Sequence, residues 1–196
     1  TSESSNSIDL YYLWRRYVAF EVASSADYNQ LSNSVALSDT DSSDVWYAAL
    51  GMPGYDDNNG AVRICKMSGT TISSTTDIQP TDLSDDYDAG WSVAINDVGD
   101  TVAFGAPGTL AGGYRTGKSY IWTRSGTTWS QEADIPPEST DGQQNNGTTV
   151  SLSKDGNSLV VGSSELLIRH YTRSGPTWTK IAQLAVPGGT SGSGGF

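Results

Sequence analysis

Residues 90–108 read GWSVAINDVGDTVAFGAPG: two short apolar runs flank a turn, and glycine stands at both ends. Val93 and Ile95 alternate with small residues, Val98-Gly99 marks a tight turn, and Val102 to Ala106 is apolar again, which is a hairpin pattern. The phrase returns as GTTVSLSKDGNSLVVGSS at residues 147–164, with its turn at Asp155-Gly156. It occurs earlier as SVALSDTDSSDVWYAALGMPG from Ser34. A second strand pair follows each version: GAVRICKMSGTTISSTTDI from Gly60, GKSYIWTRSGTTWSQEADI from Gly117 and ELLIRHYTRSGPTWTKIAQL from Glu165. Ser68-Gly69, Ser125-Gly126 and Ser174-Gly175 fall in register; so do Ile72, Trp129 and Trp178, and Ile78, Ile135 and Leu184.

A unit of four strands therefore recurs three times. Its second strand is thin (Ala103, Gly105, Ala106), suited to a place where backbones come close, and its third, Tyr120–Arg124, is broad and aromatic. Narrow inside and wide outside describes a wedge, and repeated four-stranded units of roughly 40–50 residues read as propeller blades. The expected fold is all-β, with blades at residues 31–89, 90–146 and 147–194. Residues 1–30 supply a polar N-terminus and an orphan strand, because WRRYVAF at 14–20 aligns with WSQEADI at 129–135. Gly195-Phe196 matches Gly90-Trp91 and would open a further unit. The expectation is a partial propeller, either a segment of a longer polypeptide or one completed by a neighbouring copy. An unpaired strand carrying Tyr11, Tyr12, Leu13, Trp14, Tyr17 and Phe20 invites such pairing.

Composition agrees with short strands and many turns. Only 36% of the 196 residues are hydrophobic, and Gly, Ser, Thr, Asn and Asp are abundant, which argues against a helical bundle. The net charge of −11 repels phosphate backbones and anionic lipid, so nucleic-acid binding is not expected. Cys65 is the sole cysteine and forms no internal disulfide; it reads as a small buried residue. No stretch approaches the roughly 20 apolar residues of a membrane helix, so no membrane insertion is expected.

Gly90-Trp91-Ser92-Val93 followed by Phe104-Gly105-Ala106-Pro107 resembles the FG-GAP repeats of integrin α-subunit β-propellers and their extracellular relatives. Gly51-Met52-Pro53 keeps part of the phrase, and Gly162-Ser163-Ser164 has lost the proline. The resemblance implies a propeller in an extracellular or cell-surface setting. It also implies calcium in the turn between the first two strands, where relatives place D-x-D-x-D-G-x-x-D. The turns of the second and third units are too brief to wrap an ion. The first is longer, and Asp39, Asp41 and Asp44 offer three carboxylates to a hard cation, although the glycine and full spacing are missing. A solvated acidic turn is the other reading of these residues. Asp82, Asp85, Asp86 and Asp88 read as a solvated loop between units.

Other chemistry is sparse. His170, the sole histidine, aligns with Ile121 and Ile64, and no Ser–His–Asp set can be placed around it. The turns TRSGTTW and TRSGPTW resemble sialidase Asp-box hairpins without their central aspartate, and Arg124 and Arg173 sit at repeated positions beside turns. Trp122 and Trp129 recur in register with Tyr171 and Trp178, which favours packing over sugar stacking. Asn146-Gly147-Thr148 is an N-glycosylation sequon in a connection between units. The reading is a non-catalytic extracellular module that binds a protein or glycan. Its alternatives are a filament or coat subunit built from copies of itself and, last, a sialidase-like glycosidase.

Overall fold

The computed structural model describes residues 33–82, 87–139 and 142–185. Three four-stranded antiparallel sheets form, each a meander in chain order, and none closes on itself. The first holds β1 (Val35–Leu37), β2 (Val45–Met52), β3 (Ala61–Ser68) and β4 (Thr71–Ile78). The second holds β5 (Ser92–Ile95), β6 (Thr101–Ala106), β9 (Lys118–Ser125) and β10 (Thr128–Ile135). Between β6 and β9 stands a two-stranded hairpin, β7 (Leu110–Ala111) with β8 (Tyr114–Arg115). Gly112 and Gly113 are its turn, so these glycines serve a hairpin and not a flexible connection. The third sheet holds β11 (Thr149–Leu152), β12 (Ser158–Gly162), β13 (Leu167–Ser174) and β14 (Thr177–Ala185). The expected orphan strand from Tyr11 to Phe20 and the Gly195-Phe196 start lie outside the described residues.

The repeat seen in the sequence is also a repeat of pairing. Ile72, Trp129 and Trp178 stand opposite Met67, Arg124 and Arg173, while Ile78, Ile135 and Leu184 stand opposite Val62, Ser119 and Ile168. Each β3-type strand meets its partner with one irregularity, at Ser73, Glu132 and Ile181. The first turns differ from two-residue hairpins: Asn96 is buried, and its Oδ1 accepts hydrogen bonds from Asp100 N and Thr101 N. A short helical turn, Tyr55–Asn58, is left-handed at Asp56, Asp57 and Asn58, side chains that tolerate that region better than most.

The sheets lean on one another through their early strands. β1 lies against β5 and β5 against β11. One core cluster joins Ala49, Ile64 and Ile78 of the first sheet to Val93, Val102, Phe104 and Tyr120 of the second. A second joins Ala103, Ile121 and Ile135 of the second sheet to Leu159, Val161 and Tyr171 of the third. Burial of each of the larger aliphatic and Phe side chains contributes about 1.5–3 kcal/mol. The same strand positions face forward at both junctions: Ala49, Ile64 and Ile78 correspond to Ala103, Ile121 and Ile135. Their counterparts in the third sheet are Val160, His170 and Leu184, and Leu184 is 64% exposed.

Glycine explains why the recurring phrase opens and closes as it does. Gly90 and Gly147 each donate their amide to the second strand of their own sheet, at Gly105 O and Gly162 O. Each also presses on the glycine of the preceding sheet. A Cβ on Gly51 would lie 1.9 Å from Gly90 O, and one on Gly105 would lie 1.8 Å from Gly147 O. Gly147 reaches this position at φ +89°, a left-handed conformation that glycine adopts without strain.

Candidate functional site

The two junctions share their packed inner half and differ in their outer half. At the second junction, Glu132 projects from its bulge in β10 toward the third sheet. Its carboxylate accepts from Arg173 Nη2 and from Trp178 Nε1, the latter at 3.1 Å. Arg173 is the counterpart of Arg124, and Trp178 of Trp129. At the first junction these counterparts line an open cleft of about 40 Å³, together with Tyr47, Ile64, Lys66, Ser74, Thr76 and Thr127. The irregularity in β4 falls at Ser73, and the cleft-lining residues of that strand are Ser74 and Thr76. Among the described residues, no carboxylate lines this cleft where Glu132 stands at the second junction.

Arg124 is held in place from three sides. Its Nε donates to Gly99 O at 3.1 Å and its Nη1 to Gly126 O at 2.8 Å. The guanidinium carbon lies 4.4 Å from the centre of the Tyr47 ring and 5.8 Å from that of Trp129. Among the described residues no carboxylate lies within ion-pair distance of it. Arg124 lies beside its turn, as its repeated position indicated, and holds Gly126 O there. Sequence reading missed the cleft because Tyr47 and Arg124 come from different units. Trp129 and Trp122 pack against the first core cluster, as their recurrence indicated.

A carboxylate follows the fourth strand at both junctions and reaches the third strand of the next sheet. Asp82 accepts from Lys118 Nζ at 2.6 Å and from the Tyr120 hydroxyl at 3.1 Å. Asp82 is exposed, as expected of a loop, yet its carboxylate ties that loop to the next sheet; Asp88, too, pairs with Arg115 at 3.3 Å, while Asp85 and Asp86 lie outside the described residues. Partial burial pushes the Asp82 carboxyl up, but the Lys118 hydrogen bond and charge outweigh this and hold it below the usual range. Burial, reinforced by Asp82, holds the Tyr120 phenol well above its ordinary value. A depressed carboxyl contributes stability above its unfolded value of about 3.9, lost as pH falls through the folded value. Urea midpoints of the wild type and Asp82→Asn are thus expected to differ at pH 7 and converge below about pH 4.

Glu138 plays the corresponding part at the second junction, beside Lys180 and with Oε1 3.8 Å from Arg169 Nε. Arg169 occupies the counterpart position to Tyr120 and is only 2% exposed. Its Nη1 donates to Asn146 Oδ1 at 3.1 Å. Asn146, the sequon asparagine, is fully buried, with its backbone N–H donating to Thr116 O. The sequon side chain is thus enclosed in this fold.

The first-unit turn gives Asp41 a different task from the one its spacing suggested. Asp41 Oδ1 accepts from Ser43 N at 2.8 Å and Val45 N at 2.9 Å, closing the turn. Asp44 sits at φ 58°. Among the described residues, no three His, Cys, Asp or Glu side chains gather in metal-ligating geometry. His170 is half-buried on the outward side of the third sheet and shares a hydrogen bond with Ser158 Oγ through Nε2. That pairing follows from the cross-strand register of β12 and β13 and was not legible from spacing. Cys65 is buried, as expected.

No protein-family model matches the chain, and no curated protein matches it. Among the described residues no helix is long and apolar enough to cross a membrane.

Proposed function

We propose that the chain is a non-catalytic β-propeller-type module of the FG-GAP kind, displayed outside the cell, that binds a protein or glycan ligand. The observation that supports it most is the division of labour at the two junctions. The glycine contacts and aliphatic pairs are the same at both, so they serve the scaffold; the outer clefts differ in residues that scaffold packing does not require. A repeated frame with a variable rim is the architecture of a binding module.

A second reading, a self-assembling subunit, is favoured by the outward face of the third sheet. There Ile168 and Leu184 are 39% and 64% exposed at positions that the other two sheets bury, and Ile181, 55% exposed, stands where Glu132 of the second sheet pairs with its neighbour. Gly51 and Gly105 each meet a glycine of the next sheet, whereas Gly162 meets Thr149 of its own. Size-exclusion chromatography and electron microscopy separate the readings. A monomer that retains a ligand on protein or glycan arrays supports the module. Polymers that Leu184→Lys and Ile168→Lys disperse support assembly and overturn a free-standing binder.

A further inference from the structure

We propose that the cleft between the first and second sheets is a carboxylate-binding site whose occupant is an acidic side chain of a protein partner. This rests on the binding-module reading and names the chemistry of its ligand. The precedent lies within the molecule. At the second junction the same arginine and tryptophan positions are filled by Glu132, which takes Nη2 of Arg173 and the indole N–H of Trp178. At the first junction Arg124 and Trp129 stand ready, and Ser74 and Thr76 replace the carboxylate-bearing bulge.

The cleft suits that guest in size and charge. About 40 Å³ accepts a group of roughly two or three water-sized positions, a carboxylate and not a whole sugar ring. Arg124 has Nε and Nη1 committed to backbone carbonyls, which fixes the guanidinium before any ligand arrives. Lys66 supplies a second cation, and Ser74, Thr76 and Thr127 supply hydroxyl donors. An acidic side chain is favoured over a sugar acid for a structural reason. Glu132 arrives from a strand, and the exposed strand β4 borders the first cleft, so an extended peptide laid along it can deliver a side chain in the same manner. The overall charge of −11 opposes an acidic partner at long range, but salt screens it beyond about 8 Å at physiological ionic strength.

The test is an NMR titration of the full chain, labelled with nitrogen-15, with the blocked peptide acetyl-Gly-Glu-Gly-amide. The Trp129 indole and Arg124 Nε–H signals are expected to shift saturably, with a Kd on the order of 1 mM. The glutamine version of the peptide should leave them unmoved. Lys66→Gln is expected to weaken binding about threefold to tenfold. Ser74→Glu, which places an internal carboxylate on the cleft-lining strand, should displace the Trp129 signal by itself and weaken the peptide at least about tenfold. Absence of any shift at tens of millimolar, or an unchanged Kd in Ser74→Glu, overturns the site. Tighter binding of glucuronate than of the peptide overturns the assignment to a protein side chain. If a partner found on arrays binds Ser74→Glu as well as wild type, the module stands and the cleft assignment falls. If Trp129 titrates while arrays yield no partner, the site stands and the module reading falls.

Discussion

Gly105→Ala is expected to cost about 3 kcal/mol or more. The added Cβ would sit 1.8 Å from Gly147 O, 2.6 Å from Gly147 C and 2.8 Å from Ser92 Oγ. Two of those atoms are backbone of the adjoining sheet, so no rotamer change relieves the overlap. Relief requires the second and third sheets to part, which exposes Ala103, Ile121, Leu159 and Val161. Gly51→Ala should behave alike, because its Cβ would lie 1.9 Å from Gly90 O. Gly162→Ala is the internal control. Its nearest obstacle is Thr149 Oγ1 at 2.3 Å, the end of a side chain that can turn away. Urea unfolding of the three variants should place Gly105→Ala and Gly51→Ala far below Gly162→Ala. Equal midpoints would mean that the sheets are not joined through these glycines.

Asn146→Ala should lower stability by about 2–4 kcal/mol. Arg169 is buried to 2% exposure, and Asn146 Oδ1 is its close hydrogen-bond acceptor; Glu138 stands farther away at 3.8 Å. Removal of the amide leaves a desolvated guanidinium poorly compensated, the situation that makes a broken buried pair costly. The double variant Asn146→Ala with Arg169→Met tests the cause. With the charge gone there is no donor left unsatisfied, so the double variant should be more stable than Asn146→Ala alone. Additive losses would instead show that Asn146 matters only for packing. Chemical denaturation of all four proteins supplies the cycle.

The contrast between Asp41 and Asp82 shows how far residue type carries. Both are exposed aspartates in connections, and the solvated reading of each says nothing of what its carboxylate holds. Asp41 caps two amides two and four residues further on, a local effect that Asp-x-Ser-x-Val spacing permits. Asp82 acts across sheets, on Lys118 and Tyr120, and no local pattern announces a partner so distant in sequence. Asn146 teaches the same lesson. Its sequon is visible, but its burial follows from the position just before Gly147, where Ala89 stands before Gly90 in the preceding unit, also with no exposure.

By itself the sequence determined the three four-stranded units of the described residues, the alignment of one unit with the next and the thin second strand, because each is written in short-range periodicity and in glycine spacing. Tertiary structure alone decided which side chains meet across sheets: Glu132 with Arg173, Arg169 with Asn146, and Arg124 over Tyr47. Those pairings depend on the angle and offset at which one sheet rests on the next. Small differences there, such as a bulge at Glu132 instead of Ser73, fill one cleft and leave its twin open.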